Sequence, residues 1–219
     1  QRQMCIRDRP YLKLMEISDE MCKRLLHHEG LYYPLGLGPH GLVSEALLLH
    51  MKSPAIHGAL NMIYRYGITE DEAYAQKVYP YLRGVADFWE KDLVCRDGVY
   101  HVVGDGMHER TDGNIRDNGV PENPVNTLGY LKTFFTWMPR ISEALDLDEK
   151  KREKWLEIAE NLAPYPKGTI REIQENPTLW KEVDVKLEDL LPEEMLDKEI
   201  YYDEGVGGKW SFHLSLIHI

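Results

Sequence analysis

The stretch SPAIHGALNMIYRYGITEDEAYAQKVYPYLRGVADFWEKDL, Ser53 to Leu93, sets the fold class. Ser53 precedes Pro54, so a helix opens there with serine as N-cap and proline in the first turn. Ile56, Ala59, Leu60 and Ile63 recur at helical spacing, and the stripe ends before Gly67. Thr69 and Glu72 read as a capping box for the next helix. Pro80 interrupts that pattern, which predicts a break at Tyr79 and a fresh helix from Tyr81 to Leu93. Tyr81, Leu82, Val85, Phe88 and Trp89 would form its buried face. These arcs are wide, and a helix apolar over a wide arc sits inside an assembly rather than on its surface.

Helices continue on both sides. YLKLMEISDEMCKRLLHH carries Leu14, Ile17, Met21 and Leu25 at helical spacing and stops at Gly30. An aromatic turn rich in Gly and Pro follows, then a short helix in GLVSEALLLHMK. Downstream, Asp97-Gly98 marks a turn and GVYHVV a short strand. Asn126 opens a helix striped by Leu128, Leu131, Phe135, Met138, Ile141 and Leu145, with a kink expected at Pro139. The next helix, EKKREKWLEIAENLA, turns only Trp155, Ile158 and Leu162 inward, and PYPKG ends it. Past Gly168 the pattern fits short strands or one more helix equally. Alternation of wide and narrow stripes predicts helical hairpins in two layers, an all-α class.

Composition narrows the partners. No run of apolar residues reaches the length of a membrane span. A net charge of −11 repels nucleic acid and anionic lipid. The three cysteines, Cys5, Cys22 and Cys95, have neither metal-ligand spacing nor an even count for a disulfide framework. The ends, QRQMCIRDR and HLSLIHI, resemble translated adaptor read-through. Residues 1–9 and 214–219 are therefore expected to be foreign, and 10–212 to be part of one longer domain.

Between Gly104 and about Pro124 runs a polar loop of a length uncommon in compact domains unless functional or disordered. It holds Asp105, His108, Glu109, Arg110, Asp112, Asn114, Arg116, Asp117 and Asn118. HERTD lacks the second histidine of a zinc protease helix, and DGNIRDNG lacks calcium-loop spacing. Phosphate-binding and nucleophile-elbow motifs are missing from the sequence too, as are nucleotide and flavin fingerprints. A carboxylate acid or base is the chemistry left, beside the plainer reading of a solvated charged loop. Neither reading calls for a metal or cofactor.

The run from His50 to Arg110 resembles the catalytic core of glycoside hydrolases built on an (α/α)6 toroid. It is most similar to the family that includes α-L-fucosidases, and more distantly to disaccharide phosphorylases of the same fold. The likeness rests on the helix end from Tyr66 to Asp71, Tyr79 to Leu82, the Phe88-Trp89 pair, the strand Val99 to Val103 and Glu109. Asn123 to Asp148 resembles the next inner helix. The family usually reads Ser-Pro-Glu where this chain reads Met107-His108-Glu109, which touches sugar specificity more than reaction class.

The resemblance implies a partial toroid with one catalytic loop, and Glu109 as general acid of an inverting hydrolase. A glycosidic oxygen leaves poorly unless protonated, and a neutral carboxylic acid can protonate it. It also implies a base on a later inner helix, outside this chain, and an oligosaccharide or polysaccharide as partner. His108, Arg110, Asp105 and Asn126 are candidate sugar contacts, Asn126 serving equally as an N-cap. Tyr33 and His40, in the aromatic turn, can stack on or bond a sugar ring. A secreted or periplasmic site suits such an enzyme. Cutting a toroid should leave stripes such as Leu128 to Leu145 without partners, so association and a molten state are expected of this piece. The rival from another class is a non-catalytic all-α scaffold or glycan-binding module.

Overall fold

The computed structural model describes residues 2–33, 51–105, 122–175 and 191–201. Among the described residues the chain is mainly helical, with four short strands in two antiparallel pairs. Helices α1 (Arg2–Lys13) and α2 (Met15–Leu25) come first. Their expected inward stripe is rotated. Ile17 and Leu25 are nearly half exposed, whereas Leu14, Ser18 and Cys22 are buried. The cause is polar: the Ser18 hydroxyl donates to the Tyr32 carbonyl at 2.9 Å, which turns that face inward. Gly30, at φ 126°, ends the segment where a Cβ would lie 2.5 Å from the Phe88 backbone. Asp8, on α1, is buried and accepts a 2.7 Å bond from the Tyr74 hydroxyl.

Helix α3 (Pro54–Thr69) buries Ile56, Ala59, Leu60 and Ile63 as the spacing requires. It does not stop at Gly67. That glycine stays helical, and a Cβ there would lie 2.8 Å from the Trp137 ring. Ser53 occupies the N-cap with Pro54 in the first turn, as expected, although its side chain makes no capping bond. The α3–α4 junction also departs from the capping-box reading. Asp71 is the cap, accepting from the Tyr74 amide at 3.0 Å, while the Thr69 hydroxyl donates back to Arg65.

Helix α4 (Glu72–Asp92) runs through Pro80 without the expected break. Proline removes one amide, which orphans the carbonyl of residue i−4. Here that residue is Gln76, and both Gln76 and Pro80 are exposed, so water can take the lost bond. The predicted inner face of Tyr81, Leu82, Val85, Phe88 and Trp89 is fully buried.

Strands β1 (Val94–Arg96) and β2 (Val99–His101) form a hairpin; β1 was not legible beforehand. Asp97 and Gly98 take φ of 50° and 82°, the left-handed pair that a two-residue hairpin turn needs. Helices α5 (Val125–Ala144) and α6 (Glu149–Glu160) follow as a second helical hairpin. Pro139 lies inside α5 without ending it. Leu162 falls past the end of α6 but still packs on the core. Beyond Gly168 the described residues hold short strands and short helices, and 176–190, part of the stretch left open between strand and helix, lie outside them. Strands β3 (Lys167–Thr169) and β4 (Glu199–Tyr201) pair, with short helices α7 (Ile170–Glu175) and α8 (Glu193–Leu196) between them.

Two layers emerge from cross-helix contacts. His57 meets Tyr130 and Gly67 meets Trp137, so α3 and α5 run parallel. Tyr79 and Arg83 bond Asp148, while Glu90 bonds Lys151 and Trp155, so α4 and α6 also run parallel. The expectation of an uncovered α5 stripe is corrected. Leu128, Leu131, Phe135, Met138 and Ile141 are 0–1% exposed within this chain. Helices α3, α4 and α6 all pack on α5.

Candidate functional site

The described residues on either side of 106–121 are clasped to one another in a neck. Val103 bridges Glu122 in antiparallel fashion. The Asn123 amide donates to the Val102 carbonyl at 2.8 Å, and the Val102 amide donates back to the Asn123 side chain at 3.0 Å. Arg96 grips Glu122 with two nitrogens at 2.9 and 3.0 Å. Paired Arg–carboxylate bonds of this fork geometry are the directional kind. Gly104, at φ 73°, turns the chain out of the neck.

Asp105 sits at that turn, fully buried. One oxygen accepts from the amides of Lys52 (2.6 Å) and Ser53 (3.3 Å), the otherwise orphaned N–H groups ahead of α3. The other accepts from the Thr127 hydroxyl in the first turn of α5 at 2.6 Å. Beside it the Lys52 ammonium spans both oxygens of Asp92, each at 2.8 Å, and donates to the Val103 carbonyl at 2.9 Å. One carboxylate and one ammonium thus tie the loop root to the starts of α3 and α5 and the end of α4. Burial pushes the Asp105 carboxyl up to about 6, outweighing the opposite pull of Thr127 and Lys52.

Asn126 adjoins Thr127 but faces the other way. It lines an open groove of about 310 Å³ together with Val125, Gly129, Tyr130, Tyr165 and Tyr201. Tyr130 is one helical turn on from Asn126, on the same face. Tyr165 comes from the segment after α6, and its hydroxyl lies 3.9 Å from where a Cβ on Gly129 would be. The β3–β4 pairing brings Tyr201 to it, with ring centroids 5.8 Å apart and edge-on. His57 packs edge-on against Tyr130 at 4.7 Å. Surrounding protein lowers the His57 pKa, and burial raises those of Tyr130 and Tyr165, so all three favour the neutral form. Neutral rings with one amide suit the apolar faces and hydroxyls of an uncharged polar ligand.

The expected site residues fall in three places. Asn126 lines the groove. Asp105 lies behind it, with both oxygens bonded to protein. Tyr33 is in the core, 1% exposed, its hydroxyl donating to the Tyr11 carbonyl at 2.6 Å and its ring tilted against Tyr81. Glu109, His108, Arg110 and His40 lie outside the described residues. Sequence reading missed Lys52, Thr127 and the three groove tyrosines. Only Tyr130 carried a signal, its four-residue spacing from Asn126.

Among the described residues, no three His, Cys, Asp or Glu side chains gather to hold a metal ion, and no helix is long and apolar enough to cross a membrane. A scan against protein-family models and a search of curated proteins gave no match.

Proposed function

We propose that this chain carries part of the catalytic domain of an inverting glycoside hydrolase of the (α/α)6 type, with Glu109 as general acid. The observation that carries the reading is the neutral tyrosine-and-amide groove beginning two residues past the clasped neck of the Glu109 loop. Parallel inner helices with parallel outer partners also suit a toroid, to which each hairpin adds one helix per layer. In this reading Asn126 bonds a sugar hydroxyl, and Tyr130, Tyr165 and Tyr201 wall the ring. His108 and Arg110 flank the acid and orient it, and His40 is a further sugar contact. Asp105 and Tyr33 serve from behind: Asp105 fixes the loop root and Tyr33 fixes the core beneath it. The sugar remains a plant or host glycan, and α-L-fucosides are the first substrates to assay.

A glycan-binding module is the second reading. It is favoured by the groove lining, in which no carboxylate appears among the described residues. Glu109→Gln separates the two, assayed in a protein that includes the later helix expected to carry the base. Turnover of natural glycans should fall by a factor of about 10² to 10⁴, the usual worth of a general acid. Aryl glycosides, whose leaving group needs less protonation, should fall less. Unchanged turnover on natural glycans would sink the assignment. Tight glycan binding by the wild type with no cleavage would favour the binding module.

A further inference from the structure

We propose that His28 is a proton-operated tie: its protonated ring bridges the exit of α2 to Asp92 at the end of α4, and through Asp92 it steadies the Val103–Asp105 corner. The inference goes beyond the glycan reading and holds whatever ligand the groove takes.

The ring sits in a place built for its charged form. Nδ1 lies 2.9 Å from the Glu29 carbonyl, which only accepts, so Nδ1 carries a proton. Nε2 is buried and finds no hydrogen-bond partner among the described residues. It faces an Asp92 oxygen at 3.6 Å. In a neutral ring protonated at Nδ1, the Nε2 lone pair would meet that carboxylate, which repels it. In the other neutral tautomer, Nδ1 would turn its lone pair to the Glu29 carbonyl. Only the imidazolium donates on both sides.

The surrounding charges lead to the same place. The Asp92 side chain is 8% exposed and also holds the Lys52 ammonium. That ammonium acts on the buried Asp105 too, which the Lys52 and Ser53 amides bond. Two carboxylates thus share one ammonium, and a buried cluster short of a cation is costly. A proton on His28 supplies the second cation. The other groups facing the ring do not. Cys22 of α2, 3.5 Å from Nδ1, stays a thiol, pushed up to about 12 by burial and then by Asp19 and Asp92. Asp19 is taken by Lys23 and the Gly30 amide. Glu29 and Lys91 pair with each other. Phe88 of α4 presents a ring at 5.2 Å, and Tyr32, stacked on Phe88, is a phenol that burial keeps neutral.

The consequence runs along bonds. Without its proton, His28 sets a lone pair against Asp92. Asp92 can turn away only by disturbing the Lys52 ammonium, which also donates to the Val103 carbonyl at 2.9 Å. The Lys52 and Ser53 amides on Asp105 should therefore open more often at high pH. Burial holds Asp105 neutral up to about 6, so above that pH both carboxylates are charged and the proton on His28 counts most.

The test is amide hydrogen exchange on the full chain, read by NMR as protection factors, which remove the intrinsic pH dependence of exchange. Between pH 6 and 8.5 the Lys52 and Ser53 amides should lose protection about tenfold, the usual worth of one charge-assisted hydrogen bond. His28→Gln, neutral at every pH, should start near the lower value and stay there; the titration of Asp105 is common to both proteins. The same pH dependence in wild type and variant would overturn the tie, and so would a wild type in which neither amide is protected at pH 6. The ring gives a second reading that needs no variant. Nitrogen-15 shifts should show both His28 nitrogens protonated at pH 5.5, and a ring neutral there would overturn the proposal.

Discussion

Asp105 is a carboxylate sealed from water, and its energetics follow from what surrounds it. Its two oxygens take three donors, from Lys52, Ser53 and Thr127. Replacing it by alanine takes the acceptor from two amides in a buried place and one bond from the Thr127 hydroxyl, at a cost of about 1–3 kcal/mol for each amide left unsatisfied. Asparagine keeps one oxygen for the amides, and its NH₂ can donate to Thr127 with the hydroxyl rotated. Asp105→Asn should therefore stay folded at neutral pH where Asp105→Ala is markedly weakened. The pH dependence has a definite sign. The folded carboxyl titrates near 6 and the unfolded one near 3.8, so the folded state holds the proton more tightly. Protonation stabilises the fold fully below the unfolded value, and that contribution is lost as pH rises through 6. A shift of about two units corresponds to about 3 kcal/mol. Urea unfolding between pH 4 and 7 should show a fall in stability with rising pH that is shallower in Asp105→Asn by roughly that amount. Equal slopes in the two proteins would refute the raised carboxyl.

Single elements show where sequence reading succeeds and where it stops. The faces of α3, α4 and α5 were legible because apolar spacing is local and burial on a helix follows it. The bonds that hold their ends were not, because each depended on a partner outside the element. Ser53 is the N-cap as its spacing indicated, but its side chain makes no capping bond, and what holds the Lys52 and Ser53 amides is Asp105, more than fifty residues away. Ile17 and Leu25 looked inward until Ser18 found the Tyr32 carbonyl. Of the groove lining, Asn126 had been singled out through the family resemblance, while Tyr165 and Tyr201 carried no signal. Their meeting depends on a strand pairing across more than thirty residues, which no local pattern encodes. Pro80 is the sharpest case, since the rule that proline ends a helix met an exposed position where water can replace the bond. Its cost should still be present. Pro80→Ala restores an amide to Gln76 and removes the ring clash, so α4 should gain about 1–3 kcal/mol. Differential scanning calorimetry checks this. A lower Tm in Pro80→Ala would show that α4 depends on the proline at that position.

At the scale of the molecule, one question is whether the two hairpins form one cooperative unit or two. Each buries part of the other: α5 packs on α3 and α4, and α6 reaches α4 through side chains. Glu90 is the strongest of those ties, 13% exposed, with one oxygen accepting from the buried Trp155 indole at 2.8 Å and the other from Lys151 at 2.7 Å. Glu90→Ala leaves the indole N–H without an acceptor in a place water does not reach, while Lys151, 35% exposed, can turn to solvent. The expected loss is about 2–3 kcal/mol, or roughly 5–10 °C in Tm for a chain of this size. Glu90→Gln keeps an oxygen for the indole and gives up only the ion pair, so it should cost about 1 kcal/mol or less. Near-UV circular dichroism during heating reads both the tryptophan environment and the order of the transition. If the hairpins are one unit, the wild type unfolds in a single step and Glu90→Ala moves that whole step down. Two separate steps, of which the variant moves only one, would mean that the hairpins fold independently and that the ties between them decorate the fold without coupling it. No cooperative step at all would restore the molten state expected from the sequence, and the burial of the Leu128 to Ile141 stripe would then be too weak to hold the layers together.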